Sequence, residues 1–275
     1  MRAWPFVLAL TAAPATVLAA PRLEVRAAAA HVTIIPEMRP DIRVTVIRKR
    51  QGLPIKVFQS GDLTVIDGRL GHRVRGCPRL ADGLGVHVRG LGDVSGAQLP
   101  VVVVRLPMDA RILVGDAVSG EIGRTTRLDF ENRGCGDWTI ADAAGPVRLG
   151  QIGGGAIRAA RGGEATLHVA DGGSIATGPV SAGVTAVSSG DGTINVLSAN
   201  GPVVARVAGS GGFNLGGGRA PQFSASVAGS GVIRFGGEAG RVTAEVAGPG
   251  AITVARAAGP VSKRVFGAGQ IHVGP

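Results

Sequence analysis

The side chains able to do acid–base chemistry are thinly spread, and the carboxylates that recur at repeat spacing are the natural starting point. In the C-terminal half these are Asp137, Asp142, Asp171 and Asp191. Asp171 and Asp191 fall one place apart in a repeat of about nineteen residues, so a coiled chain would bring them to adjacent turns. Two carboxylates flanking a sugar linkage are the machinery of glycoside hydrolysis. A lyase would add a basic residue beside its substrate-binding carboxylates. The competing reading is local: these positions are glycine-rich corners, where aspartate serves the turn by bonding its own backbone. Asp171 and Asp191 are therefore the pair to test if the chain is an enzyme, and no catalytic residue is assigned.

Other chemistry is absent from the pattern. His31, His72, His87, His168 and His272 are scattered. No nucleophile elbow, zinc-protease helix or phosphate-cradling loop occurs. Glycine turns with aspartate suggest a calcium roll, but those repeats run every nine residues with an aspartate in each. No cofactor-binding or metal-binding residue is assigned, and no cofactor is expected. The two cysteines, Cys77 and Cys135, have no metal-ligand spacing. In an oxidising compartment they would close a loop worth about 4 kcal/mol on a chain-entropy account. Two buried thiols are the alternative.

The elements that carry these residues are set by a repeat. Gly153-Gly-Gly-Ala-Ile157, Gly190-Asp-Gly-Thr-Ile194, Gly209-Ser-Gly-Gly-Phe213, Gly229-Ser-Gly-Val-Ile233 and Gly248-Pro-Gly-Ala-Ile252 align directly. The large apolar residue recurs at 138, 157, 175, 194, 213, 233, 252 and 271. A fixed period with glycine punctuation marks a solenoid. Each unit has a second half in period 2, such as Val203-Val-Ala-Arg-Val207 and Val242-Thr-Ala-Glu-Val246, often after Gly-Pro. No stretch has sustained helical periodicity. The sequence predicts an all-β, single-domain parallel β-solenoid with rungs of about 19 residues and a less regular N-terminal β cap. The usual crossover rule makes it a right-handed β-helix. Ile194 and Val196 point inward in this reading, and Asn195 points to solvent. Lys263 takes an inward position filled by Ala205, Ala225 and Ala244 in earlier units, which predicts an open or splayed final rung.

Three segments are expected. Residues 1–20 read as a signal peptide: Arg2, an apolar run from Ala3 to Leu18, then a small-residue cut site at Ala19 or Ala20. Residues 21–117 read as irregular N-terminal rungs or a cap, with a glycine- and arginine-rich surface excursion, or loose hairpin, at 68–98. Residues 118–275 are the regular glycine-rich array. After cleavage no segment is long and apolar enough to span a membrane. The net charge is +10, spread along the chain, and only three of 29 basic residues are lysine. That balance either keeps an exported protein in solution or attracts an acidic surface. Nucleic acid is excluded as a partner by the export signal and the lack of aromatic residues among the cations.

The corners at Gly209–Phe213 and Gly229–Ile233, the Gly192-Thr-Ile-Asn195 element and the stretch Leu23–Ile47 resemble the head GIN domain family, which carries an autotransporter-adhesin label. The resemblance covers most of residues 21–275 and is best over 118–275; the excursion at 68–98 departs from it. It implies an exported bacterial β-solenoid without a known catalytic site and supplies no functional residues. The expectation is a monomeric, non-enzymatic envelope protein, periplasmic or at the cell surface. It would act as an adhesin or scaffold that binds an anionic polysaccharide or envelope surface. The rival is a polysaccharide-active hydrolase or lyase, which should gather acidic and basic side chains on one face beneath the excursion.

Overall fold

The structure, a computed structural model, describes residues 21–81 and 83–275, so the signal peptide read in residues 1–20 lies outside them. The chain winds into a parallel β-solenoid of about nine turns with rungs of about 19 residues. No α-helix occurs among the described residues. Each regular rung lays one strand on each of two broad sides. Side A stacks Trp138–Ile140, Ala156–Ala159, the first half of Ser174–Val180 and their successors to Gln270–Val273. Side B stacks Arg127–Gly134, Val147–Ile152, Ala165–Ala170, Val184–Gly190, Val203–Gly209 and on to Val261–Phe266. A narrow third side closes the coil through pairs such as Val180↔Ala199 and Ala220↔Ala239.

Period-2 alternation decides which atoms meet inside. Ile157, Ile175, Ile194, Phe213, Ile233 and Ile252 form one buried column, and Ala186, Ala205, Ala225 and Ala244 another. The small column on side B faces the large one on side A across a narrow lumen. Phe223 and Phe235 stack with centroids 5.0 Å apart, filling the width where two rungs carry bulk on both sides. Trp138 takes the isoleucine place in its rung, and its indole N–H donates to the Val118 carbonyl at 2.9 Å.

The corner between sides B and A explains the Gly-x-Gly spacing. Gly229 has φ +118°, and a Cβ there would lie 2.6 Å from the Gly209 carbonyl oxygen of the rung below. Two residues on, a Cβ at Gly231 would stand 2.4 Å from Val207 Cγ1, an inward side chain of that rung. The first glycine supplies a left-handed turn and the second makes room for the core.

At the N-terminal end, order in space departs from order in sequence. Arg22–Arg26 pairs in parallel with Asp109–Ile122 on one flank and Leu63–Asp67 on the other. Ala29–Glu37 likewise lies between Asp109–Ile122 and Val101–Pro107. The chain lays its first rung one place in, then returns to build another outside it. Arg43–Arg48 and Lys56–Ser60 pair antiparallel to that outer rung and end the stack. Residues 21–117 thus supply rungs as well as a lid.

The excursion is a packed lobe rather than a loose hairpin. Val74–Gly76, Arg79–Leu80, Gly83–Val88 and Gly92–Ser95 form short antiparallel strands. Val86, Val88 and Val94 bury with Leu53, Leu70 and Leu99 against Ala29 and Ala117 of the coil. Cys77 is bonded to Cys135 at a coil corner, Cα to Cα 5.8 Å. The lobe's alternating runs, such as Val86–Arg89, are too short to predict a sheet of their own from sequence.

The final rung is open but not splayed. Val261–Phe266 keeps register with Val242–Ala247 because parallel pairing needs only the rung below. All six of its residues are exposed, Lys263 included, so the ammonium stands in solvent at the mouth of the lumen.

Candidate binding surfaces

Side A presents a straight row of outward side chains, one per rung. Thr139, Arg158, Ala176, Asn195, Asn214, Arg234, Thr253 and His272 are direct register partners. The parallel row beside it runs Ala156, Ser174, Thr193, Gly212, Val232, Ala251, Gln270. From Thr139 onward neither row holds a carboxylate. Rungs stack about 4.8 Å apart, so the surface is a flat, regularly spaced track of hydroxyls, amides and two guanidinium groups. Rigidity comes from the buried neighbours of each outward residue: Ile194 and Val196 fix Asn195, and Ile233 and Phe235 fix Arg234.

The aspartates that opened the sequence reading lie at the margins of this track. Asp171 and Asp191 do sit on successive corners, the Asp191 N–H donating to the Asp171 carbonyl at 3.0 Å. Asp171 is the left-handed residue of its corner, φ 62°. The Asp191 carboxylate accepts the Ser210 hydroxyl one rung on. Asp137 and Asp142 accept the backbone N–H groups of Ala156 and Arg161, both at 3.1 Å, each stitching one rung to the next. Three of the four carboxylates thus have structural partners.

Charges gather elsewhere, on side B near the N-terminal end. Arg26 meets Glu24 and Asp67, Arg111 meets Asp129, and Arg133 meets Glu131. Glu24, Arg111, Asp129, Glu131 and Arg133, with Arg22, line a depression of about 240 Å³. Mixed charge on one face is what the enzymatic reading asked for. Yet the excursion packs on the neighbouring corner, where Arg79 reaches Asp137 at 3.9 Å. The side B carboxylates are solvent-accessible and each faces a guanidinium.

A larger groove of about 860 Å³ opens at the N-terminal lid, between Arg43–Arg48 and Lys56–Ser60. Ile42, Val44 and Val57 line its floor, and Arg39, Asp41 and Asp62 its rim. The Arg105 guanidinium hydrogen-bonded to Glu37 holds that carboxyl below the usual range, with Arg39 assisting. The Arg39 hydrogen bond does the same for Asp41 and raises Arg39 in return. With its charge shared between two carboxylates, Arg39 is a brace for the lid turn.

The sequence did not single out two buried amides. Asn132 Nδ2 donates to the Gly136 carbonyl and to Gln151 Oε1, both at 2.9 Å, and Gln151 Nε2 donates to the Gly134 carbonyl at 3.0 Å. They line the corner beside Cys135 and satisfy its carbonyls from inside. Their signal was present: polar residues in an inward column that Ser188 also interrupts and that otherwise holds Val169, Val207, Val227 and Val246. Among the described residues no group of three or more histidine, cysteine or acidic side chains could hold a metal. No helix among them is long and apolar enough to cross a membrane.

No known family matches the chain, and no curated protein matches it. Among solved structures, it is similar to a protein from Parabacteroides distasonis described as a "Putative lipid binding protein". The two are 16% identical, with a TM-score of 0.53 over 95% of each chain. That likeness is one of fold, extending over nearly the whole coil.

Proposed function

We propose that this chain is a non-enzymatic, exported binding protein of the bacterial envelope, and that side A is where it holds an extended acidic glycan. The observation that carries the proposal is the in-register, carboxylate-free track from Thr139 to His272, with Arg158 and Arg234 in it. A polysaccharide is itself a repeating chain, and a surface that repeats every rung can meet successive sugars with the same amide and hydroxyl contacts. The guanidinium groups would take the carboxylates or sulfates of the chain. The description of the similarly folded solved protein supports a binding use of this coil. The excess of positive charge speeds encounter with an acidic surface.

The test is a glycan array probed with the mature chain at low and physiological salt, with product analysis on every hit. Salt-sensitive retention of acidic glycans, without cleavage, is the expected result. Arg158→Ala combined with Arg234→Ala should weaken it roughly tenfold at low salt. Shortened glycans would replace this reading with the enzymatic one and direct attention to Asp171 and Asp191.

A further inference from the structure

The outward row of side A has two long cationic side chains and a low floor between them. Register runs Arg158↔Ala176, Ala176↔Asn195, Asn195↔Asn214 and Asn214↔Arg234. Four steps of about 4.8 Å set the two arginines about 19 Å apart along the coil. Ala176, Asn195 and Asn214 carry short side chains, flanked on one side by Ser174, Thr193 and Gly212. Neither arginine belongs to an ion pair among the described residues. Toward the N-terminal end the row is closed by Glu121, the register partner of Thr139, which accepts the Thr33 hydroxyl at 3.1 Å. Beyond Arg234 it goes on through Thr253 and His272 without a carboxylate.

We infer that the glycan lies lengthwise on this row and that the two arginines set its least length: a linear polyuronate of about five sugars or more, held at carboxylates four sugars apart. The inference rests on the reading of side A as a glycan-binding face, and adds the direction, length and charge spacing of the ligand. An extended β-1,4-linked chain advances close to one rung per sugar and turns the same edge toward a surface at every second sugar. The carboxylates of the first and fifth sugars therefore face the coil together, and each meets a guanidinium. That of the third faces the Asn195 amide, which can donate to it. The second and fourth sugars turn theirs away, so Ala176 between the arginines leaves no anion without a partner. Leu197, 64% exposed two residues beyond Asn195, offers the ring above it an apolar contact. A chain laid across the coil would reach one of the two arginines and not the other. Glu121 repels an acidic chain at its end of the row, so a longer chain overhangs toward Thr253 and His272.

The experiment is a titration of the mature chain at low salt with β-1,4-linked mannuronic acid oligomers of graded length. Affinity should step up roughly threefold once the oligomer reaches both guanidinium groups, at about five sugars. Arg158→Ala and Arg234→Ala should each remove the step, whereas Arg206→Ala on side B should keep it. Moving one cation two rungs closer, by Asn195→Arg with Arg234→Asn, should bring the step down to about three sugars. All four positions face solvent, and unchanged circular dichroism would confirm that the variants fold. A smooth rise with length, a step that survives either arginine substitution, or a threshold that ignores the moved cation would overturn this inference while leaving acidic-glycan binding in place. Failure to bind any acidic oligomer or polymer would overturn both.

Discussion

Gly231 shows how much a single hydrogen atom decides in this coil. Its place is fixed by Val207 Cγ1, which would lie 2.4 Å from an added Cβ. Gly231→Ala must push either the corner or the core column aside, at a cost of about 1–3 kcal/mol; denaturant unfolding would measure it. Gly229→Ala adds a left-handed φ to the same close approach and should cost at least as much. Asn132 makes the opposite kind of case. Asn132→Leu removes the donor that serves Gly136 and Gln151 and leaves a buried carbonyl and amide oxygen unpaired, a loss of about 2–4 kcal/mol. A variant as stable as the parent would show that water replaces the amide. The glycine rule was plain in the sequence, because a repeat displays its constraints many times over. Asn132 and Gln151 were not singled out, since they share one inward column with Ser188 and that column becomes visible only when the rungs are stacked. Asp171 and Asp191 were placed correctly as neighbours, but spacing could not show that Asp191 is engaged by Ser210.

Among the elements, the lobe at 68–98 depends most on a covalent tie. The Cys77–Cys135 bridge closes 58 residues, and its loss removes about 4 kcal/mol of loop entropy on the chain model. Because a solenoid rung touches only its neighbours, the damage should stay local. In Cys77→Ser with Cys135→Ser, amide exchange should quicken across Gly83–Val88 and Gly92–Ser95 and stay slow across Val203–Gly209. The lid carries a pH signature. Glu37 and Asp41 have carboxyls lowered in the folded state, so their ion pairs contribute above the ordinary carboxylate range and are lost as pH falls through the lowered values. In an NMR titration both should protonate at lower pH than they do in an unfolded peptide, and Arg105→Gln should return Glu37 toward it. The strands themselves were legible in their alternation. Their N-terminal order was not, because alternation tells which way a side chain faces and nothing of which rung lies beside it.

For the whole molecule, the coil separates three kinds of surface. Side B near the lid is a mixed lattice of paired charges, side A from Thr139 onward is a carboxylate-free track, and the C-terminal rim exposes Val261, Val265 and Phe266. Fold class and repeat length followed from the sequence because both depend on periodicity. The division of the surface did not, since the sign of each side emerges only when residues about nineteen apart are stacked. A monomer is expected in dilute solution, to be checked by light scattering across a range of concentrations. The central claim is that side A binds an acidic glycan without cutting it. The most direct measurement is the affinity of the mature chain for an acidic polysaccharide and for its neutral counterpart, with and without Arg158→Ala and Arg234→Ala, while the length of the glycan is followed. The account predicts binding to the acidic chain alone, weakened roughly tenfold by the two substitutions, with the glycan intact. Equal affinity for the neutral chain, indifference to the arginines or progressive shortening of the glycan would each contradict it.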